Sequence, residues 1–279
     1  MIGSPDGRPR TRQTIARDVP EFDVHDLDQP TRAALAELLV TIADDEFVLG
    51  FWDSEWTGIA PMLEEDVAFS SLAQDEIGHA RVLYEMIARL TGGDADDIAF
   101  GRPAEAYRHC RLVDHPRTDW AFSVCRRWLY DLADSIRLSA LARSSFRPLA
   151  DVVAKIRREE TYHLMHMDAW MRRLASSGLD SRVRAKEALD TLWVDASTPF
   201  ARLPDEALLI AAGILEGPLD GLADRHRDMA TGFLRELDLQ PLGAPSGTGG
   251  RQRPPVSTSF AWLWNEFTMV RRQDETATW

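Results

Sequence analysis

The sequence predicts an all-α fold with four long helices, a long crossover between the second and third, and additional helices towards the C-terminus. Apolar residues recur every three or four positions over long stretches, and clusters of Gly, Pro, Ser and Asp separate these stretches. No run of four to eight residues alternates between polar and apolar side chains as a half-buried β-strand would. The 279-residue chain is 44% hydrophobic and 28% charged, a composition typical of a folded globular protein.

A polar N-terminal arm without a helical period precedes the helices. It covers residues 1–30, contains four prolines, and is expected to lie over the domain or to be disordered. Four helices of roughly 25 residues follow, because the periodic stretches are broken at 57–61, 91–119, 144–148 and 176–180. The break at 91–119 is too long for a hairpin turn, so it predicts the crossover.

The chain beyond the fourth helix predicts more helix, at 182–195 and 204–237. A stretch rich in Gly, Pro and Ser then predicts a flexible linker, and an amphipathic segment follows it. The apolar side chains of that segment are expected to pack on this bundle or on a related subunit. These boundaries divide the chain into an arm at 1–30, a helical domain at 31–239, a linker at 240–257 and a docking segment at 258–279.

Charge and hydropathy exclude several classes of partner. The formal net charge of −13 argues against general binding to nucleic acids or to anionic membranes. No apolar stretch reaches the ~20 residues of a membrane-spanning helix, and the start has no signal-peptide core, so we expect a cytoplasmic protein. Cys110 and Cys125 have no CxxC partner and are expected to be buried, reduced thiols.

Polar residues interrupt the apolar seam of each of the four helices. In the first helix, Glu46 follows Leu39 and Ile42 at helical spacing, where a hydrophobic residue would be expected. The same anomaly recurs in the other three helices. Their inward-facing polar residues are Glu76 and His79 in the second, Asp131 in the third, and Glu160 and His163 in the fourth.

The spacing of these residues predicts that they meet at one depth in the bundle. Glu46 and Glu76 each lie 15 positions from Pro61, in the first predicted turn, so antiparallel helices bring them face to face. Asp131 and Glu160 are likewise equidistant from the turn at 145–146. Both hairpins therefore place their acids at a depth of roughly 22 Å, given a rise of 1.5 Å per residue.

A metal centre would explain this burial of charge. Four buried carboxylates without counter-charge would cost several kcal/mol each, and the seams as assigned contain no Lys or Arg. Two Glu-x-x-His pairs plus one acid from each of two other helices form a known dinuclear carboxylate site, whose oxygen and imidazole ligands suit Fe or Mn. We therefore expect two Fe, or Mn, bound by Glu46, Glu76, His79, Asp131, Glu160 and His163, with the four acids also serving as catalytic residues.

Several neighbouring residues are alternatives. Asp134 lies one turn beyond Asp131 and could replace it, although it falls off the apolar stripe, and His166 could be a further ligand. Asp75 and Asp134 could accept hydrogen bonds from ligand histidines, or they could simply be solvated. Tyr84 and Tyr130 could be redox-active beside a metal, and ordinary packing is the alternative for both.

Three stretches of the sequence also resemble one protein family. They are DEFVLG at 45–50, QDEIGHA at 74–80, and a stretch running from Asp131 through ALARSSFRPL at 140–149 to REETYH at 158–163. They resemble the ferritin-like subunits of the bacterial phenylacetyl-CoA epoxygenase, in the phenylacetic acid catabolic family. The resemblance extends over about residues 31–200.

The resemblance implies a ferritin-like bundle acting in O2-dependent epoxidation of the ring of an aromatic acyl-CoA thioester. It implies a paralogous ferritin-like subunit as partner, a flavin and iron–sulfur reductase as electron donor, and an oligomeric assembly. The complete ligand set is typical of the family's catalytic subunit with its di-iron centre, whereas the short chain and its ending resemble the structural paralogue. A stand-alone ferritin-like protein that handles iron or peroxide is the third alternative.

Overall fold

The computed structural model describes residues 19–243 and 256–274. Most of the predicted arm and most of the predicted linker lie outside the described residues. Over the described residues the chain forms ten α-helices and no β-strand, so the predicted all-α fold is confirmed, and the architecture is consistent with a ferritin-like helical bundle. Within the same residues, no helix combines the length and apolar character needed to cross a membrane.

Four long helices form the bundle, and short helices lie in the crossover and after the bundle. α1 starts at Gln29, where Asp28 caps it by accepting a hydrogen bond from the backbone N–H of Thr31, so it includes the last two residues of the predicted arm. In chain order the helices are α1 (Gln29–Ser54), α2 (Leu63–Thr91), α3 (Ala95–Phe100), α4 (Arg111–Asp114), α5 (Trp120–Leu141), α6 (Arg147–Ser176), α7 (Leu179–Leu192), α8 (Glu206–Ala211), α9 (Ala223–Glu236) and α10 (Thr258–Gln273).

The two hairpins of the bundle are α1–α2 and α5–α6, joined by the crossover that carries α3 and α4. Their apolar faces meet in one continuous core. Burial of these apolar side chains is the main force that brings the helices together. Their close packing then sets the depth at which each polar side chain lies in the bundle. Core side chains with no solvent exposure include Leu35, Leu39, Phe69, Met86, Leu129, Leu149 and Met167.

The expectation of helix throughout 204–237 is wrong. The helix stops at Ala211 and resumes at Ala223, and the intervening residues form turns and a short 3-10 helix at Leu219–Leu222. Gly213 adopts a left-handed conformation there with φ of 70°, and Pro218 cannot donate a hydrogen bond within a helix. The apolar residues at 207–215 therefore belong to a short helix and a turn.

The docking segment forms α10, which packs on this chain. The Phe267 ring lies 5.1 Å from that of Phe47 in α1, and Trp262 stacks on Trp52 at 5.9 Å. Trp264 Nε1 donates a hydrogen bond of 3.0 Å to the carbonyl oxygen of Arg102 in the crossover. These contacts hold α10 against α1 and the crossover.

Candidate metal centre

All six expected ligands are buried in the middle of the bundle. α1 supplies Glu46, α2 supplies Glu76 and His79, and the other hairpin supplies the rest. Their relative exposures are 4% or less, so each polar group must find its partners inside the protein. The residues from α5 and α6 are Asp131, Glu160 and His163.

Four of the six converge on one point. Glu46, Glu76, His79 and Glu160 each offer one ligand atom, and these four atoms lie within 4.8 Å of one another. His79 Nδ1 lies 3.5 Å from Glu46 Oε2 and 3.4 Å from Glu160 Oε1. The hairpin geometry expected for Glu46 and Glu76 thus brings three carboxylates and one imidazole together, a donor set that suits a single divalent ion such as Fe or Mn.

The hydrogen bonds of the three glutamates show which of their oxygens have partners. Glu46 Oε1 accepts from the Tyr130 hydroxyl at 2.9 Å, Glu76 Oε1 contacts Arg127, and Glu160 Oε1 lies 2.9 Å from His163 Nδ1 and 3.4 Å from His79 Nδ1. The Oε2 atoms of all three, together with Nδ1 of His79, are buried without a hydrogen-bond partner. Buried polar atoms in that state are costly, and a cation bound between them would remove the cost.

The expectation that no basic residue lies on the seams is wrong. Arg127, one turn before Asp131 in α5, is fully buried and reaches into the centre. Its Nε atom lies 2.8 Å from Asp131 Oδ1, and its Nη2 atom contacts Glu76 Oε1 and lies 3.0 Å from His163 Nδ1. The guanidinium therefore contacts three of the six expected ligands.

Arg127 lies beside the two expected ligands that remain, Asp131 and His163. A metal ion binds oxygen and nitrogen donors at roughly 2.0–2.2 Å, so a second ion held by Asp131 and His163 would occupy the space of the guanidinium. Asp131 and His163 also fall outside the convergent group. The described residues fit one ion at the Glu46, Glu76, His79 and Glu160 position, beside an arginine cation.

A second ion-pair network supports the centre from α1. Asp53 accepts hydrogen bonds from Arg127 Nη1 at 2.7 Å and from Arg126 Nη2 at 3.1 Å, and all three side chains are fully buried. Asp53 therefore holds the Arg127 guanidinium at Nη1, whereas Asp131 lies beside Nε.

The residues expected as alternatives lie around the centre. Asp134 is ion-paired with Arg137 at 2.7 Å, and Arg137 also donates to the Tyr130 hydroxyl that binds Glu46. His166 contacts Glu65 at 2.9 Å, outside the convergent group, whereas Asp75 lies 3.3 Å from His163 Nε2. Tyr84 donates to Asp44.

Burial and neighbouring charges move the pKa values of the ligands apart. Burial, reinforced by the nearby Glu76 carboxylate, raises the pKa of Glu46 well above its usual value. Burial acts in the same direction on Glu76, but Arg127, Glu46 and His163 together outweigh it, and the pKa of Glu76 lies well below its usual value. Burial lowers the pKa of His163, yet contacts with Asp75, Glu160 and Glu76 raise it to about 12. Without metal, the imidazolium of His163 thus supplies part of the missing positive charge.

A cavity of about 280 Å³ opens between α2 and α6 and reaches the centre at His79. Its wall includes Glu159, whose carboxylate lies 2.7 Å from His79 Nε2. It is lined by apolar and charged side chains, so a ligand with an apolar ring and a polar tail would find partners for both. The lining residues are Gln74, Asp75, Gly78, His79, Arg81, Val82, Val152, Lys155, Ile156 and Glu159.

Sequence reasoning missed Arg127, Asp53 and Gly50. Arg127 lies four residues before Asp131, and Asp53 lies seven residues after Glu46. Both spacings place the residue on the inward face of its helix, so the sequence pattern did indicate that these two side chains point inwards. Gly50 gave no such signal. A Cβ at this position would lie 2.9 Å from Ile77 Cγ1 and 3.0 Å from the carbonyl oxygen of Ala73, so only glycine lets α1 approach α2 this closely.

Comparison with known proteins identifies relatives of the chain. The family model described as phenylacetic acid catabolic protein matches residues 23–279. One subunit of 1,2-phenylacetyl-CoA epoxidase from Escherichia coli (strain K12) is 31% identical over 219 residues, which cover 78% of this chain and 88% of that subunit. Another subunit of the same enzyme is 25% identical over 198 residues, which cover 71% of this chain and 64% of that second subunit.

Proposed function

The chain belongs to the phenylacetic acid catabolic protein family, and we propose that it is a metal-containing subunit of a multicomponent monooxygenase. The proposed reaction is epoxidation of the ring of phenylacetyl-CoA or a similar aromatic acyl-CoA. The proposed partners are a paralogous ferritin-like subunit, a flavin and iron–sulfur reductase, O2 and the acyl-CoA. The observation that carries the metal assignment is the convergence of Glu46, Glu76, His79 and Glu160, each of which has a buried side-chain atom without a hydrogen-bond partner.

The first candidate role is that of the oxygenase component. Fe, or Mn, bound by Glu46, Glu76, His79 and Glu160 would supply the activation of O2. The surrounding chain would orient these ligands: Tyr130 donates to Glu46, and Arg127 contacts Glu76. The burial of the four ligands would keep bulk water away from them.

The cavity between α2 and α6 supports an aromatic substrate for this role. Val82, Val152 and Ile156 give it an apolar wall for a ring, and it ends at His79. Arg81 and Lys155 lie on its lining and would attract the phosphates of a coenzyme A tail. A ring held there would lie next to the ligand cluster.

The second candidate role is that of a partner subunit whose centre contributes to stability but not to turnover. Arg127 favours this role, because its guanidinium fills the space in which a second metal ion would be expected. The alignment covers 88% of the epoxidase subunit that is 31% identical but only 64% of the one that is 25% identical, so the chain matches more of the length of one family subunit than of the other.

Turnover in the assembled complex distinguishes the two roles. The complex of this chain, its paralogue and the reductase would be supplied with NADPH, O2 and phenylacetyl-CoA, and the epoxide product measured. Glu46→Ala, Glu76→Ala and Asp131→Ala in this chain are expected to abolish product while the helical circular dichroism stays nearly unchanged. Full turnover by all three variants would assign the chemistry to the partner.

A further inference from the structure

We infer that the centre binds a single divalent metal ion and that the Arg127 guanidinium takes the place of the second. The ion lies among Glu46, Glu76, His79 and Glu160, Asp131 pairs with the arginine, and His163 lies beside it. A single ion is compatible with either role of the subunit. The number of bound ions per chain is measured without substrate. A loss of metal binding can therefore be distinguished from a loss of turnover.

The division of the six polar residues into two groups carries this inference. The four ion-binding residues have ligand atoms within 4.8 Å of one another, and Asp131 and His163 are not in this group. What sets Asp131 apart is its neighbour, because its Oδ1 atom lies 2.8 Å from Arg127 Nε. His163 Nδ1 lies 3.0 Å from Arg127 Nη2 and also 2.9 Å from Glu160 Oε1, so it stands between the arginine and the four ion-binding residues.

Arg127 is fixed where it stands. Its Nη1 atom is held by Asp53 at 2.7 Å, its Nε atom lies beside Asp131, and its Nη2 atom contacts Glu76. A buried guanidinium with carboxylates on three sides cannot leave without uncovering them, and each uncovered charge would be costly. Arg127 therefore stays when a metal ion enters at the neighbouring position.

Glu76 links the two halves of the centre. Its Oε1 atom contacts Arg127, and its Oε2 atom is free to bind the ion. In a dinuclear centre such a carboxylate would bridge two metals; here it bridges one metal position and one arginine. Glu76 therefore contacts two cations, of which one is a metal ion and the other is the Arg127 guanidinium.

The metal count of the purified full-length chain tests this inference. Metal-free protein would be titrated anaerobically with Fe(II), and in parallel with Mn(II), and the bound metal per chain measured by elemental analysis after gel filtration. We expect one ion per wild-type chain. His79→Ala is expected to lose the ion, whereas His163→Gln is expected to keep it. A wild-type count of two, or of zero, would overturn the inference.

Arg127→Ala is the decisive variant, because it opens the second position. It is expected to raise the count from one to two, with Asp131 and His163 as the new ligands. Arg126→Ala is the matched control: it removes a buried guanidinium that also pairs with Asp53 but does not reach the ligands, so the count should stay at one. A folded Arg127→Ala chain that still binds one ion would refute the role of the arginine. If that variant does not fold, a loss of the ion in His163→Gln would refute the assignment of His163 to the residues that do not bind the ion.

Discussion

Asp53 in α1 accepts a 2.7 Å hydrogen bond from Arg127 in α5, with both side chains fully buried. This contact crosses from one hairpin of the bundle to the other, between residues 74 positions apart in sequence. Asp53 also binds Arg126, so one carboxylate forms ion pairs with two guanidinium groups. The stability of the bundle interior should depend on it.

Asp53→Asn is therefore expected to lower the free energy of unfolding by about 3–5 kcal/mol, because it removes the carboxylate paired with the buried Arg126 and one of the three paired with Arg127, while preserving the size of the side chain. Urea denaturation of the metal-free protein measures this change. Glu216→Gln is the control, since it breaks an exposed ion pair with Arg143 and should change the free energy of unfolding far less. Equal effects of the two substitutions would contradict a structural role for the Asp53 pairs.

Gly50→Ala should disturb the centre through the backbone. The added methyl group would press on the Ala73 carbonyl oxygen and on Glu76 Cβ, each 3.0 Å away, and would push α2 from α1. We expect a loss of about 1–3 kcal/mol in stability and weaker Fe(II) binding, because Glu76 shifts. Thermal denaturation and metal titration check the two effects.

Gly78→Ala is the matched control on α2. A Cβ at Gly78 meets nothing within 4 Å, so the substitution adds helix propensity without a clash. It should raise stability by about 0.5–1 kcal/mol and leave metal binding unchanged. A stabilising Gly50→Ala variant would show that the two helices can separate at little cost.

The main elements of the fold were predictable because their signals are local. Pro61 and Pro148 mark the two hairpin turns, and antiparallel pairing then fixes which acids lie at the same depth. Arg127 was not predicted, although it has the right spacing, because a buried arginine is plausible only once its partners are known. Those partners, Asp53 and Glu76, come from the other hairpin.

The pH dependence of stability should contain a contribution from His226 in α9. Burial lowers its pKa from 6.5 to about 4, although its Nε2 donates a 3.1 Å hydrogen bond to the carbonyl oxygen of Leu129. Above pH 6.5 neither the folded nor the unfolded form is protonated there, so His226 has no effect. As the pH falls from 6.5 to 4, only the unfolded form gains the proton, and the folded protein is destabilised.

His226→Gln removes this titration and keeps a donor for the Leu129 carbonyl. Between pH 7.5 and pH 4 the wild-type protein should lose about 3 kcal/mol more stability than the variant. Urea denaturation at both pH values, with a chelator present, measures the difference. The same pH dependence in both proteins would show that His226 is protonated in the folded state.

Val82→Trp tests the proposed substrate cavity separately from the metal centre. Val82 lines the cavity between α2 and α6 but is not among the four converging ligands, so an indole ring there should fill the space without touching the metal position. In the assembled complex we expect kcat/KM for phenylacetyl-CoA to fall at least tenfold, equivalent to about 1.4 kcal/mol of transition-state stabilisation, with an unchanged metal count. Val67→Trp is the control on the same helix, because Val67 is 65% exposed and lies outside the cavity lining. If Val82→Trp turns over normally, the acyl-CoA ring binds elsewhere, and if both variants lose turnover, the exposed face of α2 meets a partner subunit.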